Sequence, residues 1–165
     1  MDHKELSALW APWRVEYFSK PATPDFLREA GQTIDDAAHL VVARRKSCFL
    51  MLNRYPYAVG HMMAVPYRQV AGLEELTEGE QLDLLALAVH AQGLLRGAVG
   101  AQGFNVGLNL GKCAGAGVAD HLHMHIVPRW EGDNNFMPVL ADTRVLPEAL
   151  DQLYTRLMAV EQATG

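Results

Sequence analysis

The sequence predicts an α+β domain in which short antiparallel strands pack against helices. Three short apolar segments follow one another between positions 39 and 66, and turn residues bound each of them. A long helix signal at 77–98 then separates these segments from two further apolar segments. Short strands that adjoin in sequence, with one long helix between the third and the fourth, are typical of the α+β class.

Length and charge limit the classes of function. The chain has 165 residues, the size of one ordinary domain, 1–165, with a core that needs neither metal nor disulfide. Its formal net charge of -5 argues against general affinity for nucleic acid. The first residues lack a signal-peptide pattern, and no apolar run approaches membrane-spanning length. We therefore expect a cytoplasmic protein with no membrane partner.

The first three strands are predicted from turn signals on either side of apolar runs. They are 39–43, 48–53 and 61–66. A basic turn at Arg45 and Lys46 joins the first two strands and predicts a hairpin. Pro56 and Gly60 mark the next reversal of the chain.

Two helices are predicted around this sheet. Thr77 and Glu80 have capping-box spacing and begin a helix that runs to about Ala98. Its buried stripe is predicted at Leu82, Leu85, Ala86 and Val89. A last helix is predicted from near Pro147, a favourable first-turn residue. The chain thus divides into an N-terminal extension at 1–38, irregular or short helical, a core at 39–136 and a C-terminal helical segment at 137–165.

The most informative segment holds three histidines at alternate positions, His121, His123 and His125. On a strand, alternate side chains share one face, so the three imidazoles are expected in a row. Such a row can bind a metal together with a distant ligand such as His61 or His90, supply a nucleophile, or be structural. The structural use is the least expected for three histidines in register.

The loop before the histidines favours phosphate chemistry. It follows a fourth predicted strand, 104–110, and contains Gly111, Gly115 and Gly117. Glycines let the backbone approach a ligand and present N–H groups to an anion. Attack of histidine on phosphorus creates negative charge that such donors stabilise.

Several sequence blocks together resemble one known family, the histidine-triad superfamily of nucleotide hydrolases and transferases. The histidine row followed by Pro-Arg-Trp at 128–130 matches the motif of that superfamily. Further blocks resemble the bacterial diadenosine tetraphosphate phosphorylase group, close to the fragile-histidine-triad branch. They are 9–14, 52–57, 60–61, 65–68, 103–111 and 132–137.

The resemblance implies a fold, an assembly and a set of roles. The fold would be a half-barrel of five antiparallel strands with two main helices, and a homodimer would continue the sheet. His123 would be the nucleophile, while His121 and His125 would hold its tautomer and contact phosphate or leaving-group oxygens. The implied nucleotide-binding residues are Asn53, His61, Asn109, Gly115, Ala116 and Gly117.

The implied reaction is cleavage of dinucleoside polyphosphates, of the diadenosine tri- and tetraphosphate class, through an adenylyl-histidine. The substrate is a small-molecule nucleotide, and no protein-bound cofactor or metal is expected, with magnesium entering only with the polyphosphate. Two alternatives stay open. One is a nucleotide-binding sensor with little turnover, and the other is a histidine-ligated metalloenzyme.

Two departures from the family pattern bear on these expectations. Many relatives have Cys-x-x-Cys early in the chain for structural zinc, whereas 24–27 here reads Pro-Asp-Phe-Leu. Gly117 stands where relatives place glutamine or a hydroxyl residue against the transferred phosphate. The resemblance therefore leaves open whether water or inorganic phosphate is the second acceptor: the departure at Gly117 slightly favours hydrolysis or mixed activity, whereas the surrounding blocks favour the phosphorylase group.

Overall fold

A computed structural model describes residues 26–133 and 149–164. Within these ranges the chain forms three α-helices, two short 3-10 helices (Leu73–Glu75 and Lys112–Ala114) and five strands. The α-helices are α1 (Phe26–Gln32), α2 (Glu78–Val99) and α3 (Leu150–Thr164), and the strands are β1 (Val41–Arg44), β2 (Cys48–Leu52), β3 (Met62–Pro66), β4 (Gly103–Leu108) and β5 (Met124–Arg129). The sequence block 9–14 and the predicted start of the last helix near Pro147 lie outside the described residues.

The five strands form one antiparallel sheet in the order β1-β2-β3-β5-β4. Antiparallel pairing holds at every neighbouring pair, so the predicted α+β class and five-stranded sheet are confirmed. The last strand among the described residues, β5, lies between β3 and β4 because the long helix α2 carries the chain across the sheet. β1 and β4 are the edges of the sheet.

The two faces of the sheet bury different parts of the chain. One face packs against α2 and α3 through residues such as Leu50 and Met62. The other face carries Phe49 and Met63, and α1 covers it only in part through Leu27. The part of this second face that α1 leaves uncovered holds the site described below.

The predicted buried stripe of α2 is wrong. Leu82, Leu85 and Val89 are 70%, 58% and 63% exposed. The residues that face the core are instead Leu84, Leu87, Ala88, Ala91, Leu94 and Leu95. Because α2 is apolar on more than one face, the spacing of its apolar residues is compatible with two different buried stripes. The contact with the sheet decides which of the two is buried.

By length and composition alone, α2 is long and apolar enough to cross a membrane. This corrects the expectation that no run approaches that length. Helices that pack in the core of a globular protein can have the same length and composition, and α2 makes such contacts with the sheet.

The start of α2 is fixed by a buried carboxylate. Glu80 accepts hydrogen bonds from the Arg68 guanidinium at 2.8 and 3.0 Å and from the backbone N–H of Thr77 at 2.8 Å. The bonds from Arg68 and Thr77 lower the pKa of Glu80 to about 2. The predicted capping box is therefore confirmed, and an ion pair extends it.

Replacing Glu80 with glutamine is expected to lower the free energy of unfolding by about 1 to 2 kcal/mol at neutral pH. The effect is not larger because the Arg68 side chain is half-exposed, so that solvent screens its charge. An unfolded glutamate has a pKa of about 4.3. The contribution of Glu80 is therefore present above that pH and is lost as pH falls to about 2. Urea unfolding from pH 7 to pH 2 should show the two proteins converging, whereas Glu78→Gln, a control at an exposed first-turn residue, should differ little at any pH.

Candidate active site

A pocket opens on the sheet face opposite α2, beside the histidine segment. Its polar lining consists of Asn53, Gly115, Gly117, His123 and His125. Its apolar and aromatic lining consists of Phe26, Tyr55, Tyr57, Met63 and Val118. A concave site with a few polar groups on one part of its wall and aromatic rings on another suits a small amphiphilic ligand.

Hydrogen bonding fixes the tautomer of His123. Its Nδ1 lies 2.8 Å from the backbone carbonyl oxygen of His121, which can only accept. Nδ1 must therefore carry a proton, and in the neutral ring Nε2 holds the lone pair. His123 is buried and lines the pocket, so the chain presents a basic nitrogen at a defined position beside the glycine loop.

A second pair of histidines stands next to this nucleophile candidate. Nε2 of His61 and Nδ1 of His125 are 2.9 Å apart. Nδ1 of His61 accepts from the backbone N–H of Tyr57 at 3.0 Å, with the Asn53 amide at 3.3 Å. Because a backbone N–H only donates, neutral His61 carries its proton on Nε2 and donates it to His125.

The same reasoning extends to His125. Since its Nδ1 accepts from His61, neutral His125 carries its proton on Nε2. The two rings form a donor relay that begins at the Tyr57 backbone N–H and ends at the second nitrogen of a pocket-lining histidine. The ring of Tyr57 packs at a tilt against both imidazoles, with its centroid 4.6 Å from that of His61 and 5.6 Å from that of His125.

The predicted row of three histidines on one strand needs correction. β5 begins at Met124, so only His125 lies in the strand, and His121 and His123 belong to the segment before it. His121 is buried, and its Nε2 donates to the carbonyl oxygen of Pro66 at 2.8 Å. It does not line the pocket but supplies the backbone carbonyl that orients His123.

The glycine loop reaches the pocket in part. Gly115 and Gly117 line it, and Gly115 adopts a φ of 88°, a backbone conformation that favours glycine. Of the other residues predicted to bind nucleotide, Ala116 is buried and Asn109 follows β4, and neither lines the pocket. The structure thus brings Asn53, Gly115 and Gly117 together with His123, whereas His61 stands behind His125.

The metal alternative finds little geometric support, and buried Cys48 does not compete with the histidines as a nucleophile. Among residues 26–133 and 149–164, no group of three or more His, Cys, Asp or Glu side chains is arranged to hold a metal. Both ring nitrogens of His61 are engaged within the relay, and His90 pairs with Glu161 at 2.6 Å. Burial raises the pKa of Cys48 to about 12, so its thiolate is not available as a nucleophile.

Several pocket residues were not assigned by the sequence reasoning. Tyr55 and Tyr57 belong to a block used only for the family resemblance, and residue type alone gave no signal that Tyr57 would pack against the histidines. Phe26 belongs to the extension for which no site role was predicted. Its ring makes an edge-to-face contact with Tyr55, with centroids 6.5 Å apart.

The five-stranded antiparallel sheet with a histidine site on one face is an arrangement shared with a known protein family. The HIT domain family model matches residues 35–132, more than half of the chain. The chain therefore belongs to the HIT domain family, and the resemblance stated from the sequence is confirmed.

The chain is also similar to particular members of this family. It is 42% identical to the AP-4-A phosphorylase of Mycobacterium tuberculosis over 171 residues, which cover 96% of this chain and 86% of that protein. It is 33% identical to the bis(5'-nucleosyl)-tetraphosphatase [asymmetrical] of Schizosaccharomyces pombe over 93 residues, which cover 56% of this chain and half of that protein.

Solved structures agree with the fold. A hypothetical histidine triad nucleotide-binding protein from Sulfolobus tokodaii superposes with a TM-score of 0.59 at 26% identity, covering 76% of this chain and 82% of that one. A zinc-bound histidine triad family protein from Mycobacterium smegmatis has a TM-score of 0.62 at 20% identity, covering 76% of this chain and 85% of that one.

Proposed function

We propose that this protein cleaves dinucleoside polyphosphates at an α-phosphate through an adenylyl-His123 intermediate. The observation that carries the proposal is the hydrogen bond from Nδ1 of His123 to the His121 carbonyl oxygen, which leaves Nε2 as the nucleophilic nitrogen. The names of two relatives, AP-4-A phosphorylase and bis(5'-nucleosyl)-tetraphosphatase, support this class of substrate.

In the first step, Nε2 of neutral His123 forms a bond to the α-phosphorus, and the bond from phosphorus to the bridging oxygen breaks. The bridging oxygen keeps the bonding electrons and leaves with the remaining nucleotide, which is ATP when the substrate is diadenosine tetraphosphate. The positive charge that develops on His123 is stabilised by its Nδ1–H donor bond to the His121 carbonyl. The Nε2–H of His125 and the backbone N–H of Gly117, which lines the pocket, would donate to phosphate oxygens, whereas the N–H groups of Gly115 and Ala116 already donate to carbonyl oxygens within the loop.

In the second step, an acceptor oxygen attacks the phosphorus and the bond to His123 breaks. Water releases AMP and gives up a proton, whereas inorganic phosphate releases ADP. His123 returns to its neutral form with Nδ1 still bonded to the His121 carbonyl. Positioning and fixed donors supply the catalysis in this scheme, which assigns no protein-bound cofactor or metal, and magnesium would arrive with the polyphosphate.

Product analysis tests this function and identifies the acceptor. The protein is incubated with diadenosine tetraphosphate, with and without inorganic phosphate, and the nucleotides are separated by chromatography. We expect ATP in both reactions, with AMP when water is the acceptor and ADP only when phosphate is present. AMP binding without turnover would instead support the sensor, and loss of activity on chelation, with metal found in the purified protein, would support the metalloenzyme.

Gly117 is the residue that bears on the choice of acceptor. It lines the pocket and has no side chain to place against the transferred phosphate. The phosphorylase name of the relative that matches 96% of this chain supports inorganic phosphate. We therefore propose phosphorolysis as the main reaction, with hydrolysis in the absence of phosphate.

We also propose a homodimer that joins two copies through β4 and α2. β4 is an edge strand of the sheet, and Val106 on it is 45% exposed. On α2, Leu82, Leu85 and Val89 are exposed and recur at positions i, i+3 and i+7, which places them on one helix face. An exposed sheet edge and an exposed apolar stripe are each costly to leave in water, and pairing of two copies would cover both.

Replacing Leu85 with glutamate is expected to shift the protein from dimer to monomer, because the dimer would have to bury the new charge. Sedimentation velocity measures the shift, with Gln152→Glu, at an exposed position of α3, as a control that adds the same charge elsewhere. A Leu85→Glu variant that sediments like the unmodified protein would contradict this interface.

A further inference from the structure

Arg44 lies outside the pocket and makes several hydrogen bonds and an ion pair. The Arg44 guanidinium donates to the carbonyl oxygens of Ala30 at 2.9 Å, Gly31 at 3.3 Å and Thr33 at 3.0 Å. It also forms an ion pair with Asp36 at 2.6 Å. These bonds tie β1 to the end of α1.

The rings of two aromatic residues complete this arrangement. The guanidinium lies 5.8 Å from the centroid of Phe49 and 5.9 Å from that of Tyr67, and it donates to the Tyr67 hydroxyl at 3.3 Å. Planar guanidinium groups combine fork-shaped hydrogen bonding with stacking, which a lysine ammonium cannot reproduce. The contacts of Arg44 therefore depend on arginine and not only on positive charge.

Helix α1 depends on such contacts for its position. It has seven residues, too few to be stable as an isolated helix. Leu27 and Ala30 are fully buried against the sheet, and Arg44 satisfies carbonyls at the end of the helix, where a positive charge is favourable. Movement at this end would carry the whole short helix with it.

The opposite end of α1 reaches the pocket. Phe26, the first residue of α1, lines the pocket and packs edge-to-face with Tyr55. Together with Met63 and Val118 these rings form the apolar wall, whereas the histidines and glycines form the polar wall. A nucleotide has one charged part and one flat apolar part, so its phosphate fits the polar wall and its base fits the aromatic one.

Resting on the proposed function, we propose that Arg44 is a positioning residue for nucleotide binding: by holding α1, it sets Phe26 against Tyr55 and shapes the wall that packs on the base. Arg44 makes no contact with the catalytic histidines among its described bonds. Its effect is therefore on binding of the nucleoside part and not on the bond-breaking step.

The first test is Arg44→Lys in the full chain, assayed with diadenosine tetraphosphate. We expect KM, and the Kd for AMP measured by calorimetry, to rise about three- to tenfold, the range for loss of one aromatic contact. We expect kcat to stay within about twofold, because the histidines keep their bonds. If Arg44→Lys does not fold, Asp36→Asn replaces it in the test. This variant removes the ion pair but leaves Arg44 in place, so it should raise KM by a smaller factor.

A matched control separates this effect from general destabilisation. Arg68 also forms a fork with a carboxylate, that of Glu80, but it does not line the pocket. Arg68→Lys should lower the melting temperature without raising KM. An equal rise in KM for Arg68→Lys, or an unchanged KM for Arg44→Lys and Asp36→Asn, would overturn the inference.

A double-mutant cycle shows whether Arg44 acts through Phe26. If it does, Phe26→Ala raises KM, and the double variant with Arg44→Lys raises KM no further than the larger single effect. Effects that multiply would mean that the two residues act independently and would overturn the inference. If the unmodified protein neither cleaves the dinucleotide nor binds AMP, the proposed function itself fails, and the inference fails with it.

Discussion

Replacement of His123 with asparagine is expected to abolish turnover of diadenosine tetraphosphate, lowering kcat by about four orders of magnitude or more. Asparagine can keep a hydrogen bond to the His121 carbonyl, so the site should stay folded, but its amide nitrogen has no lone pair available for attack on phosphorus. Rapid-quench kinetics with radiolabelled substrate measures the loss.

His90→Asn is the matched control for this substitution. His90 is on α2, bonds to Glu161 on α3 and does not line the pocket. We expect it to lose some thermal stability and to retain full kcat. Turnover by His123→Asn comparable to that of His90→Asn would refute covalent catalysis by His123.

The second largest effect is expected at His61, which the sequence reasoning assigned to nucleotide binding and which the structure places behind His125. His61→Leu removes the donor to Nδ1 of His125, so that the tautomer of His125 is no longer fixed. We expect kcat to fall about 10- to 100-fold with a smaller change in KM, because a fixed donor contributes mainly as charge develops.

His61→Gln provides the conservative comparison. A glutamine amide can still donate to His125 and accept from the Tyr57 backbone N–H, so it should recover a large part of the activity lost in His61→Leu. Steady-state kinetics across pH 5 to 9 would show whether the pH profile recovers as well. Equal losses in the two variants, confined to KM, would mean that His61 binds the substrate and does not act through His125.

The sequence was sufficient to predict the sheet, because turn residues and apolar runs mark strand ends locally. The alternation of histidines predicted a shared face but not where pairing begins. β5 starts only at Met124, where Ala64 and Leu108 become available as partners. The ends of a strand depend on which residues of the neighbouring strands are available to pair with it, and local sequence does not give that pairing.

The buried face of α2 was mispredicted for a related reason. Leucines at 82, 84, 85 and 87 are compatible with more than one helix face, and only the docked helix shows that Leu84 and Leu87 are inside. The exposed remainder is the surface for which we propose a second copy. When helical spacing fits two apolar faces, as it does in α2, one face can belong to the core and the other to an interface between copies.

The active site was predictable where its residues adjoin in sequence and not where they meet only in space. His123 and the glycine loop were found because they lie within a few positions of each other. The role of Tyr57 depends on a backbone N–H that points at His61 across a turn, and Phe26 reaches the pocket only because α1 docks on the sheet. These contacts are set by tertiary packing, for which residue type gives no signal.

The most direct measurement of the central claim is detection of the covalent intermediate. The protein is mixed with diadenosine tetraphosphate in phosphate-free buffer, quenched within milliseconds at alkaline pH to preserve a phosphorus–nitrogen bond, and digested for mass spectrometry. We predict one adenylyl group on the peptide that contains His123, and its loss when inorganic phosphate is added before the quench. Rapid turnover with no adenylylated peptide at any time, or the same adduct on His123→Asn protein, would contradict the account.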